Sequence, residues 1–315
     1  MGSPGALPPF DDIECTTIDG TTLRGWLYSV KGPAPAVIMS HGLNCVKEMR
    51  LPALAKYFQS MGYNVLLYDM RGLGASDGLP RNQLDPLQAA QDISDIVTHM
   101  SNLPSVDSRR ILLWGFSFGG MVSGCAAAID SRLAAVAMVA PLLSFVRPDR
   151  RKAVLALCAK DRESQLRGDE PLTLPPFTPM GDNPAGLGGA GGPGGLALYH
   201  SYRRAVERGY VNFVDRMTLQ SYIKMMLSRP KELLQTIDGV PVMLVIPELD
   251  NISPAAEQLA VFETLQSPKR VYLARGEEHL TVLAGKGSGE MLAATHQFFQ
   301  DALHGNVSDI AEARL

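Results

Sequence analysis

The chain begins with alternation and then abandons it. Thr21 to Tyr28 alternates polar and apolar positions behind an Asp19-Gly20 turn signal, so residues 13–29 read as an antiparallel hairpin. From residue 36 the pattern becomes short, wholly apolar runs: Ala36-Val37-Ile38-Met39, Asn64 to Tyr68, Ile111 to Trp114, and Ala134 to Val139. Stretches with helical spacing separate them. Leu51, Leu54, Ala55 and Phe58 mark 50–61, Ile93, Ile96, Val97 and Met100 mark 86–101, and a small-residue run extends from Gly119 to Ala128. Strands that are apolar on both sides are covered on both faces. The reading is an α/β protein with a mostly parallel sheet flanked by helices on both faces.

The alternation stops after Pro141. It resumes with Val242 to Ile246, a helix around 255–266, the strand Val271 to Leu273, and a helix around 288–302. The interruption is far longer than an ordinary connection. Its middle, 168–198, is rich in Pro and Gly and includes the run Gly188 to Gly195; helix-compatible pieces flank it at 150–167 and 199–235. Leu196, Leu198, Phe213, Met217, Leu219, Met225 and Met226 give the insert apolar surface to bury, which a disordered linker lacks. The expected organisation is a core made of 1–141 and 240–315, with 142–239 inserted as a helical cap containing an irregular loop.

Composition narrows the function classes. Hydrophobic residues make up 46% and charged residues 19%, and the net charge is -3, so no nucleic acid and no anionic membrane surface is expected as a partner. The segment Met1 to Phe10 has no basic region followed by an apolar run, and no apolar stretch reaches the roughly 18 residues of a membrane helix. Cys15, Cys45, Cys125 and Cys158 form no C-x-x-C pair and read as buried free thiols. A cytoplasmic protein without cofactor or metal is expected.

Gly115-Phe116-Ser117-Phe118-Gly119 fits G-x-S-x-G. It follows the strand Ile111 to Trp114 and precedes a helical run, the strand–turn–helix setting that the motif requires. The turn pushes Ser117 into a strained backbone conformation, and side chains at 115 and 119 would collide with neighbouring backbone. The hydroxyl then stands at a helix N-terminus, which favours negative charge. A serine needs a base. Of six histidines, His279 lies in the loop Arg275 to His279 after the last strand, on the carboxyl edge of the sheet where Ser117 sits. The chain order Ser…Asp…His then favours Asp250, with Glu248 as competitor. The oxyanion hole is assigned to the backbone N–H groups of Leu43 and Phe118, and His41 to ordering its loop. Asp69-Met70-Arg71-Gly72-Leu73-Gly74 lacks dinucleotide spacing and reads as an ion-paired, glycine-shaped loop.

Together these motifs resemble the α/β-hydrolase superfamily. Gly42 to Glu48, Pro80 to Pro86, Trp114 to Gly120, and Leu174 to Pro179 with its Gly-rich sequel resemble, more closely, the fungal polyketide transferase family. That resemblance covers nearly the whole chain. It implies acyl transfer or hydrolysis on a polyketide acyl thioester, presented by a synthase acyl-carrier domain, in secondary metabolism. The residues alone leave open a carboxylester hydrolase or peptidase, a non-catalytic partner of a synthase, and a homodimer.

Overall fold

The computed structural model describes residues 10–187, 193–210 and 212–307. Met1 to Pro9 and the glycines of 188–192, both read above, lie outside the described residues. The chain order is β1(Asp11–Thr16), β2(Thr22–Tyr28), β3(Ala34–Ser40), α1(Leu51–Ser60), β4(Asn64–Tyr68), α2(Pro86–Ser101), β5(Val106–Phe116), α3(Phe118–Ile129) and β6(Ala135–Val139). Then come α4(Pro148–Leu166), β7(Thr173–Leu174), α5(Pro193–Glu207), β8(Met217–Thr218), α6(Gln220–Ser228) and α7(Pro230–Leu234). The last part is β9(Val242–Pro247), α8(Ala255–Thr264), β10(Lys269–Ala274), a short 3-10 turn at Thr281–Leu283, and α9(Ser288–Leu303).

Eight strands form one sheet in the order β1-β2-β4-β3-β5-β6-β9-β10. β1, β2 and β4 pair antiparallel, and every pair from β4 to β10 is parallel. The parallel strands are buried on both faces, as their unbroken apolar runs demand. Two apolar layers result. Ile38, Leu66, Leu113 and Leu244 face α2, α3 and the insert, while Val37, Val65, Trp114 and Val245 face α1 and α9. α2 starts where Asp85 accepts the Gln88 N–H at 3.3 Å and Pro86 supplies a fixed φ.

Between β6 and β9 the helix-compatible piece at 150–167 is α4, and that at 199–235 holds most of α5, then β8, α6 and α7. Arg229, in the left-handed conformation at φ 42°, separates α6 from α7, and Pro230 cannot extend the preceding helical bonding. β7 and β8 pair as a two-stranded ribbon that period alone did not reveal. β5 is also longer than its apolar run, because its first half, Asp107 to Arg110, is polar and reaches beyond the core.

Candidate active site

The site is assembled by four turns on the carboxyl edge of the sheet. At the end of β5, Ser117 adopts φ 57° as β5 turns into α3. This is the sparsely populated left-handed side of backbone space, and the surroundings hold it there. The Ser117 N–H donates to Val139 O at 2.8 Å, and its carbonyl accepts from the N–H groups of Met121 and Leu142. A Cβ on Gly115 would overlap the carbonyl of Gly119, and one on Gly119 would overlap the carbonyls of Ser40 and His41. The turn therefore needs glycine on both sides, which explains the motif spacing.

The loop after β10 carries His279. Its Nε2 lies 2.9 Å from Ser117 Oγ and its Nδ1 lies 2.8 Å from Asp250 Oδ2. All three side chains are almost fully buried. Asp250, after β9, is fixed from its other side: Oδ1 accepts the N–H groups of Ile252 at 2.9 Å and Ser253 at 2.8 Å, and Gln258 Nε2 donates to Oδ2 at 3.2 Å. The competitor Glu248 turns away and accepts the Gly276 N–H at 2.8 Å, which ties the two loops together. The geometry thus brings Ser117, His279 and Asp250 into one hydrogen-bonded line.

Leu43 lies in the turn after β3 and Phe118 is the first residue of α3. Neither backbone N–H donates to an acceptor among the described residues, and for Phe118 the helix itself offers none. His41 stands beside them at 1% exposure, with Nδ1 3.1 Å from the Gly42 carbonyl and Nε2 accepting from the Met70 N–H at 3.2 Å. Burial pushes its pKa below the ordinary histidine value. A neutral, fully engaged ring orders the loop and has no free position for a substrate.

The Asp69 loop is the ion-paired loop read from the sequence. Asp69 binds Lys47 Nζ at 2.7 Å, and Arg71 binds Asp92 and Asp19. A Cβ on Gly74 would overlap the Asp69 carboxylate.

Two contributors were not foreseen. Tyr202, on α5, donates its phenol O–H to the Leu43 carbonyl at 2.6 Å. Burial pushes that phenol far above its ordinary pKa, so it stays a donor. Gln258 holds Asp250 from α8. In a helix that also carries Glu257, Glu263 and Thr264, one more polar residue gave no signal of that role.

Ser117 opens onto a narrow, mostly apolar cavity. Leu43, Phe116, Leu142, Phe177, Leu187, Leu198, Ile252 and Leu283 line it. Cys45 lines it too, but burial pushes its thiol up to about 12, so it supplies no competing thiolate. Leu187 and Ile252 also line a second groove with Phe145, Val146 and Pro254. Among the described residues no group of His, Cys, Asp and Glu is arranged to hold a metal.

The model of the serine aminopeptidase (S33) family of hydrolases matches residues 31–165. A thiohydrolase of Eupenicillium brefeldianum is 43% identical over 93% of this chain and 94% of its own. A polyketide transferase of a Penicillium species is 42% identical over 88% of this chain and 92% of its own. The solved structure of DcsB in complex with its substrate analogue superposes with a TM-score of 0.91 at 49% identity, over 94% of this chain and all of that one.

Proposed function

Because this chain belongs to the fungal polyketide transferase family of α/β-hydrolases, we propose that it transfers or hydrolyses a polyketide acyl thioester through an acyl-Ser117 intermediate. The observation that carries the reading is the line Ser117 Oγ, His279 Nε2, His279 Nδ1, Asp250 Oδ2, with the hydroxyl facing an apolar cavity. A thiohydrolase and polyketide transferases among the relatives support thioester chemistry.

His279 Nε2 takes the Ser117 proton as Oγ bonds to the acyl carbonyl carbon. The carbonyl oxygen becomes an oxyanion, which the Leu43 and Phe118 N–H groups stabilise. The C–S bond breaks, and the departing thiolate takes the proton from the imidazolium. Water or an alcohol then gives its proton to His279 and attacks the acyl-serine carbonyl. The C–O bond to Ser117 breaks, and Oγ recovers the proton. Asp250 holds the tautomer with the proton on Nδ1 and stabilises the imidazolium. Residues 142–239 act as the cap that covers the acyl group, with Tyr202 fastening it to the oxyanion loop.

The acyl group arrives on the acyl-carrier domain of a synthase, in the cytoplasm. Four free cysteines suit a reducing compartment, and no helix among the described residues is long and apolar enough to cross a membrane.

Ser117→Ala should lower turnover of a polyketide thioester by about a thousandfold or more, with the fold unchanged by circular dichroism. A fluorophosphonate probe should label the parent at Ser117 and leave the variant unlabelled. Turnover retained in Ser117→Ala ends the reading.

A further inference from the structure

Beside the acyl cavity lies a basic pocket that the reaction steps do not use. Met49, Arg50 and Ser201 line both spaces, and beyond them lie Arg204, Ala205, Arg208 and Tyr210. Among the described residues, no carboxylate pairs with Arg50, Arg204 or Arg208. Arg50 is instead held by Ser201 Oγ at 3.0 Å, and Arg208 reaches only the Tyr210 hydroxyl at 3.4 Å. Burial lowers the Arg50 pKa, and its neighbours Arg204 and Arg208 push in the same direction. Three converging guanidinium groups without a counter-charge favour an anion. Their planar forks suit phosphate in particular.

The helix α5 sets the distance. Leu198, Ser201, Ala205 and Arg208 follow one another by three, four and three residues, so they lie on one stripe. Arg208 N–H donates to the Arg204 carbonyl at 3.0 Å, which continues the helical turn past Glu207. Ten residues of helix rise roughly 15 Å. The stripe therefore runs from the acyl cavity to the far arginine along a path suited to a linear linker with an anion at its outer end.

We propose that Arg50, Arg204 and Arg208 bind the phosphate of a phosphopantetheine arm, whose thioester sulfur then lies at Ser117. This rests on the thioester reading above. The arm is common to an acyl-carrier domain and to coenzyme A.

The test compares two thioesters of the same acyl group, one on pantetheine and one on 4′-phosphopantetheine. The parent protein should prefer the phosphorylated form by about tenfold in kcat/KM, through KM, as a charge-assisted phosphate contact predicts. Arg204 and Arg208 are exposed, so Arg204→Ser with Arg208→Ser should leave the fold intact and remove most of that preference. Arg50→Gln should weaken it independently. Equal turnover of the two thioesters by the parent protein overturns the proposal, as does a preference that survives in the double variant. Carrier-bound and coenzyme A thioesters then identify the source. A loss in the double variant on the carrier form alone, or on both, supports the proposal; a loss confined to coenzyme A overturns it. Ser117→Ala is read separately: turnover in that variant would sink the serine mechanism, while the phosphate preference would still be measured.

Discussion

Two buried aspartates sit on the same edge of the same sheet. Asp69 follows β4 and Asp250 follows β9. Each accepts two backbone N–H groups, and each binds a side-chain nitrogen at Oδ2, Lys47 for Asp69 and His279 for Asp250. Asp69 takes the N–H groups of Lys47 and Ala75, both at 2.8 Å, and the Lys47 ammonium at 2.7 Å. Asp250 takes the N–H groups of Ile252 and Ser253 and the His279 ring. The difference lies in what comes next. Burial alone would lower the Lys47 pKa, but Asp69 and Glu48 more than reverse it, and the ammonium is held above its ordinary value. That network is closed, with a fixed charge at each end. The Asp250 network ends on an imidazole, which can change protonation, and then on a hydroxyl facing a cavity. A buried carboxylate marks structure when its partner is a permanent cation. It marks chemistry when its partner can carry a proton to an open space.

The same substitution in both networks should separate them most sharply. In Asp250→Asn the amide nitrogen can only donate, so it would favour the His279 tautomer with Nε2 protonated, and that nitrogen could no longer take the Ser117 proton. We expect kcat to fall by roughly ten thousandfold. Stability in urea should change by only about 1 kcal/mol, because the carbonyl of the new amide still accepts from Ile252 and Ser253. Single-turnover acylation measures the first and denaturant unfolding the second. A kcat within tenfold of the parent would erase the distinction between the networks.

Asp69→Asn should do the reverse. It leaves the Lys47 ammonium, in a site where that residue is only 4% exposed, with Glu48 at 3.3 Å as its remaining carboxylate. The expected loss is about 3–5 kcal/mol of stability. The molecules that stay folded should keep kcat within a few-fold of the parent, since no atom of the Asp69 loop lines the Ser117 cavity. Gly74→Ala should mimic it in direction, because a Cβ at φ 51° overlaps the same carboxylate. A normal unfolding midpoint in Asp69→Asn would show the pair to be dispensable.

These two loops carry different signals in the sequence, and for a physical reason. A nucleophile turn must obey local rules: Gly115 and Gly119 are required by backbone overlap within a few residues of Ser117. Strands buried on both faces must also be apolar throughout, so β3, β4, β6 and β9 could be read directly from the chain. Where constraints are long-range the chain was silent. Tyr202 and the Leu43 carbonyl are 159 positions apart, and nothing near Tyr202 signals that its phenol would meet a turn after β3. Likewise β7 and β8 are two residues each, too short for alternation to register, and only their pairing makes them strands. The helix-compatible stretch over 199–235 holds most of α5, then β8, α6 and α7, and helical spacing alone does not show where the chain turns between them, as at Arg229 in its left-handed conformation before Pro230.

The smallest expected effect concerns a histidine between the oxyanion loop and the Asp69 loop. His41 hydrogen-bonds the oxyanion loop at the Gly42 carbonyl and the Asp69 loop at the Met70 N–H. Burial holds its pKa below the ordinary value of about 6.5, and the nearby Asp69 charge only partly offsets that. Well above pH 6.5 the ring is neutral in both folded and unfolded chains, so it adds no pH dependence there. Below it the unfolded chain binds a proton that the folded one refuses. Stability should therefore decline as pH falls, by up to about 1.4 kcal/mol per unit, until the folded pKa is reached. His41→Gln, which keeps a donor and an acceptor at this position, should remove that part of the decline. Urea unfolding at pH 7.5 and 5.5 gives the comparison. The parent should lose more than the variant over that interval, by at most about 1.4 kcal/mol, and parallel losses would mean that His41 does not titrate on unfolding.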